Sequence, residues 1–125
     1  MARADAQVPP ARAALGARAE ALATDYLAQQ GLVFVARNFR TRRGEIDVIV
    51  RDRDTLVFVE VRLRTRSDYG GAAASITARK RARMAAAAGL YLARLRTAPP
   101  CRFDAVLLDA MDAARIEWLK NVMEV

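Results

Sequence analysis

The stretch from Gly44 to Arg64, GEIDVIVRDRDTLVFVEVRLR, constrains the fold more than any other part of the chain. Two runs rich in β-branched residues, Glu45–Val50 and Thr55–Leu63, flank the wholly charged Arg51-Asp52-Arg53-Asp54. Apolar alternation on both sides of a short polar break predicts an antiparallel hairpin with its turn in that charged segment. Both runs also carry acids. Glu45 and Asp47 open the first, and Glu60 lies between Val59 and Val61 in the second. A carboxylate in a strand interior is costly unless something compensates it.

An even turn centred between Asp52 and Arg53 sets Glu45 opposite Glu60 and Asp47 opposite Phe58. Side chains alternate along a strand. Glu45, Asp47, Glu60 and Arg62 then share one face, while Val48, Val50, Val57, Val59, Val61 and Leu63 pack the other. Asp47 and Glu60 become diagonal neighbours, within reach of one ion. Like charges directly across a sheet destabilise it. Three remedies are open: a hard divalent cation held by carboxylate oxygens, neutralisation by Arg43, Arg62 or Arg64, or a wet face on which the acids stay solvated. The pairing is sensitive to register, since a one-residue slip sends Asp47 and Glu60 to opposite faces.

The rest of the chain supplies the layers around this hairpin. Residues 1–10 read as a flexible tail and 11–125 as a single domain. Arg12 to Gln30 has helical periodicity, with Leu15, Ala19, Leu22, Ala23, Tyr26 and Leu27 on one face and Gly31 as its stop. Gly16 inside this helix suggests a close backbone approach. Leu32 to Phe39 reads as a strand, followed by the basic Arg40 to Arg43. Ser75 is a fair cap for a second helix reaching about Leu95, with Ile76, Met84, Ala88, Tyr91, Leu92 and Leu95 inward. Pro99-Pro100 breaks the chain before a strand from Phe103 to Asp109, and Ile116 to Leu119 reads as one more. The order α-β-β-β-α-β predicts an α/β fold with a mixed central sheet and helices on both faces. Three strands form a meander, and the second helix crosses over to a parallel fourth.

Composition narrows the chemistry. Among 125 residues there is no histidine and one cysteine, Cys101. That excludes a histidine base, a Ser-His-Asp triad and any His- or Cys-cluster metal site. The balance of 21 Lys and Arg against 14 Asp and Glu gives +7, a surplus that suits a polyanion such as nucleic acid. No apolar run approaches the roughly 18 residues that would span a bilayer. Asp5, Arg12, Arg18 and Glu20 interrupt any signal-peptide core. The expectation is a cytoplasmic protein with DNA as partner and no membrane.

Asp47 followed by Glu60-Val61-Arg62 resembles the PD-(D/E)XK nuclease pattern. The ordered set GARAEALATDYLAQQG, ARNFRTRRGEIDVIV, LVFVEVRLR, YGGAAASIT, RKRARMAAAAGLYL and CRFDAVLLD is similar to the small bacterial YraN-like family, related to archaeal Holliday-junction resolvases. The resemblance implies a restriction-endonuclease-like core. It implies that Glu20 joins Asp47 and Glu60 around Mg²⁺ or Mn²⁺, and that Asp47, Glu60 and Arg62 are the catalytic set. It also implies a homodimer on branched DNA. One departure stands out: Arg62 occupies the usual lysine position. Arginine stays protonated and cannot act as a base, but it can hold a phosphate.

Arg40, Arg42, Arg43, Arg64, Arg66, Arg79, Lys80 and Arg81 are the expected phosphate contacts, which give affinity without reading sequence. Tyr69-Gly70-Gly71 is a place for close backbone approach. The alternative to a nuclease is a non-catalytic nucleic-acid-binding module on the same scaffold. A third reading makes the segment around Trp118 a protein contact surface.

Overall fold

A computed structural model describes residues 11–64, 76–109 and 115–123. The tail 1–10, Arg66, Ser75 and the Tyr69-Gly70-Gly71 loop lie outside the described residues. The elements are α1 (Ala11–Gln29), β1 (Val33–Arg40), β2 (Glu45–Asp52), β3 (Thr55–Arg64), α2 (Ala78–Leu92), β4 (Cys101–Asp109) and β5 (Ile116–Met123). The strands form one sheet in the order β1-β2-β3-β4-β5. Only β3 and β4 run parallel, joined by the crossover through α2; the other neighbours are antiparallel. This mixed α/β architecture is compatible with a restriction-endonuclease-like core.

The helices cover opposite faces. Under α1 lie Val48, Val50, Val57, Val59, Val106 and Leu108, against Ala19, Ala23 and Leu27. Under α2 lie Ile46, Ile49, Phe58, Phe103 and Leu107, against Met84, Ala87 and Ala88. Each fully buried large aliphatic or Phe side chain stabilises by about 1.5–3 kcal/mol. Buried alanines bring both helices close to the sheet. Among the described residues no helix is long and apolar enough to cross a membrane.

Several expectations are corrected. Leu15 and Leu95 are exposed: Leu95 lies past the end of α2, and Leu15 precedes Ala19, the first residue of α1 in the core cluster on the sheet. The cap of α2 is Thr77, whose side chain accepts from the Lys80 N–H. Gly16 faces open space, so its presence answers no close approach. The glycine that matters is Gly44, whose absent Cβ would collide with the Arg83 backbone of α2. Thr41 shapes the turn leading to it. Its hydroxyl donates to the Gly44 carbonyl and accepts from the Arg43 and Gly44 N–H groups. Gly44→Ala is expected to cost about 1–3 kcal/mol, as overpacking does, because no rotamer relieves backbone against backbone. Urea unfolding of the two proteins measures it; equal midpoints would mean α2 has slack there.

The hairpin register also differs. Val48 faces Val59 and Asp52 faces Thr55. The turn is therefore the pair Arg53-Asp54, with Arg53 left-handed at φ 59. The shift from the expected register is two residues, so the valine face is preserved. Glu45 no longer faces Glu60; it pairs with Arg40 at 3.4 Å. Alternation also breaks at Asp47, since Ile46 and Ile49 pack under α2 while Val48 packs under α1. Opposite that break, between the pairs Arg37–Val48 and Phe39–Ile46, stands Asn38 with φ 54.

Candidate functional site

The strands place the two central acids side by side. The regular ladder ends at Val48–Val59, and the next pair in that register is Asp47 with Glu60. The break in alternation turns the Asp47 side chain along the sheet, and its Oδ2 accepts the Val61 N–H at 2.8 Å. Glu60 is 6% exposed, on a face otherwise filled by Phe58 and Leu107. Burial, then the charge of Asp47 and a hydrogen bond shared with it, push the Glu60 carboxyl up from 4.5 to about 8. Lys80 opposes that rise, with its Nζ 3.3 Å from Glu60 Oε2. Desolvation of a carboxyl beside a second carboxyl outweighs one half-exposed ammonium.

Glu20 approaches from α1. Burial, and after it Asp47, raise its carboxyl above the ordinary value, while a hydrogen bond with Asn38 and the charges of Arg37 and Arg40 pull the other way. Asn38 thus links Glu20 to the strand position facing Asp47. The three acids expected together are electrostatic neighbours in a chain, Glu20 to Asp47 to Glu60. Among the described residues no three His, Cys, Asp or Glu side chains form a metal cage. The pair Asp47 and Glu60 is the set that a single hard cation could bridge.

Arg62 lies two residues beyond Glu60 on the same face, and its Nε is buried without a hydrogen-bond partner. Such a donor costs about 1–3 kcal/mol if nothing satisfies it. The other predicted cations divide. Arg42 and Arg43 are exposed on the Thr41–Gly44 turn, and Arg79 and Arg81 are exposed on the first turn of α2. Arg81 donates to the Ile76 carbonyl at 2.8 Å. Arg40 is committed to Glu45. Arg64, 11% exposed, pairs with Glu117 at 2.9 Å.

Sequence reasoning missed a second polar cluster. Asp104 is fully buried on β4, where both its oxygens accept from Arg102. Trp118 Nε1 and the Asn121 N–H donate to it at 3.0 and 2.9 Å. Arg102 also reaches Asp52 at 3.0 Å. Trp118 is spent on this cluster and on an edge contact with Tyr26. The signal was present: an aspartate two residues after Arg102 inside the apolar run FDAVLLD.

A family profile described as "Uncharacterised protein family UPF0102" matches residues 19–108. A UPF0102 protein of Nitrosospira multiformis is 52% identical over 110 residues, 88% of this chain and 92% of the relative. One from Methylobacillus flagellatus is 53% identical over 107 residues, 86% of this chain and 94% of the relative. One from Cupriavidus metallidurans is 54% identical over 110 residues, 87% and 80% of the two chains.

Proposed function

Since the chain belongs to the uncharacterised protein family UPF0102, the small bacterial PD-(D/E)XK-like family that its sequence resembles, we propose that it is a metal-dependent endonuclease-like protein acting on the phosphodiesters of DNA. The observation that carries this reading is the Asp47–Glu60 pair, two carboxylates crowded until one is pushed up to about 8. Full ionisation of such a pair, with only the Lys80 ammonium beside it, would be favoured by one more positive charge. The donors of the pair are hard oxygens, and Mg²⁺ takes one or two carboxylates with waters and phosphate oxygens, so two suffice. A divalent cation bound there would supply a water of lowered pKa and charge neutralisation at a phosphoryl oxygen.

Asp47 and Glu60 would hold the ion, with Glu20 behind them. The buried Arg62 Nε and the Lys80 ammonium would hold the phosphate oxygens, as charge-assisted donors do. The arginines of the Thr41–Gly44 turn and of α2 would carry the flanking phosphates. Branched DNA is the substrate the resemblance favours.

The non-catalytic alternative has its own observation. Lys80 already pairs with Glu60, and Arg62 cannot take up a proton.

Calorimetric titration of Mn²⁺ separates the two readings, with labelled branched DNA incubated alongside. Wild-type protein is expected to bind Mn²⁺ and nick the DNA, and Asp47→Asn/Glu60→Gln to do neither. Metal binding in the double variant would sink the assigned site. Salt-sensitive DNA binding without metal binding or cleavage would establish the non-catalytic module.

A further inference from the structure

The ladder between β2 and β3 stops at Val48–Val59, and the sheet forks beyond it. Glu45 and Ile46 stay paired with β1, while Glu60 to Arg64 stay paired with β4. Asp47 and Glu60 stand at the vertex of this fork, and the first turn of α2 lies over Glu60. Thr77 fixes the backbone of Lys80 by accepting its N–H, and the Lys80 ammonium comes to 3.3 Å from Glu60 Oε2. The Glu60 side chain is 7% exposed and that of Lys80 36%, so the ammonium stands on the solvent side of the carboxylate. The residue type carries information too. Of 21 Lys and Arg in the chain only two are lysine, Lys80 and Lys120. Lys120 lies over the Trp118 ring at 4.5 Å, in the other polar cluster. An arginine fork holds a carboxylate bidentately in a fixed plane, whereas lysine is a compact point charge on a flexible stem. In a chain that otherwise uses arginine, the buried acid is met by the cation with the looser hold.

We infer that Lys80 is the resident counter-ion of the acidic pair, a tethered cation that a divalent metal ion displaces from Glu60 on entering the fork. This inference rests on the reading of Asp47 and Glu60 as a metal site. A dication and an ammonium compete for the same oxygens and repel each other. Before the ion enters, Lys80 meets a site of net negative charge. With the ion on the two carboxylates that charge is cancelled, and with it the attraction that holds Lys80. The flexible stem then carries the ammonium off Glu60, free for a phosphate oxygen. The site exchanges one cation for another and is at no stage left as two bare carboxylates. Its affinity for metal is correspondingly lower than the acids alone would give.

Magnetic resonance of the chain labelled with carbon-13 at lysine Cε tests this, because Lys80 and Lys120 are the only lysines. On saturation with Mg²⁺ the Lys80 signal is expected to move and the Lys120 signal to stay. Calorimetry supplies the second readout. Lys80→Met keeps the stem and removes the charge, and is expected to bind Mn²⁺ about fivefold more tightly, the weight of a unit charge at roughly 4 Å in water. Lys80→Arg keeps the charge and is expected to show no tightening. Metal binding that leaves the Lys80 signal in place would overturn this inference and leave the metal site standing. Unchanged or weaker binding by Lys80→Met would overturn it as well, by making Lys80 a bystander or a helper of the ion. So would equal tightening by Lys80→Arg, which would make the side chain a steric plug. No metal binding by wild type or by Lys80→Met would sink the metal reading itself, and this inference with it.

Discussion

Replacing Glu60 by glutamine is expected to raise the stability of the fold above pH 8 by on the order of 4 kcal/mol. The sign follows from linkage. The carboxyl is raised in the fold, from 4.5 to about 8, so between those values the unfolded chain has lost its proton while the fold keeps it. Each step upward in pH then favours unfolding. The stability that Glu60 contributes is complete below pH 4.5 and is lost as pH rises through about 8. Glutamine keeps the shape and removes the titration. Glu20, also raised, adds loss of the same sign in both proteins, so the difference between them reads Glu60 together with its interaction with Asp47. Urea unfolding at several pH values between 5 and 9 measures it. Parallel profiles would show that Glu60 ionises freely and that its surroundings are wetter than their burial indicates. The same variant is expected to lose Mn²⁺ binding, a trade of function for stability.

Asp104→Ala is expected to destabilise by about 3–5 kcal/mol, the usual consequence of removing one partner from a buried ion pair. Three sets of donors lose their acceptor together: the Arg102 guanidinium, Trp118 Nε1 and the Asn121 N–H. Arg102 keeps Asp52, which limits its loss. Trp118 and Asn121 have no substitute shown, and both belong to β5. The loss is therefore expected to concentrate in the β4–β5 pair, with the melting temperature falling by about 6 °C or more, at the roughly 2–8 °C per kcal/mol of domains this size. Hydrogen exchange supplies the second readout: amides of β5 should lose protection before those of β2 and β3. A melting temperature within a degree or two of wild type would mean that water replaces the carboxylate, and the cluster would then count for little.

The sequence made some of this legible and hid the rest, for physical reasons. The hairpin, the crossover and the two-faced burial rest on local periodicity, which the chain displays without ambiguity between Glu45 and Leu63. The nearness of Asp47 and Glu60 was legible because parity survives a two-residue register error, although the pattern set them diagonally with Asp47 opposite Phe58, whereas Phe58 in fact faces Ile49. What parity could not supply was the break at Asp47. That break arises between two strands, where Asn38 takes a left-handed conformation that no pattern of apolar residues announces. Lys80 was visible only as one basic residue in a basic helix. Its meeting with Glu60 depends on where α2 docks, which Gly44 and the Arg83 backbone decide. Asp104 was overlooked because its partners come from β5, a strand the pattern cut short at Leu119 instead of Met123.

The buried alanines of the two helices have a consequence for how such a protein can diversify. Ala19 and Ala23 beneath α1, and Ala87 and Ala88 beneath α2, act as spacers. They set the depth at which the carboxylates sit below the outer surface. A larger residue at any one of them would lift its helix as a rigid lever. On the α2 side Gly44 is the fulcrum, and Lys80 rides at the helix start. Small substitutions in the packing layer could thus retune how open the face around Asp47 and Glu60 is while leaving every charged side chain unchanged.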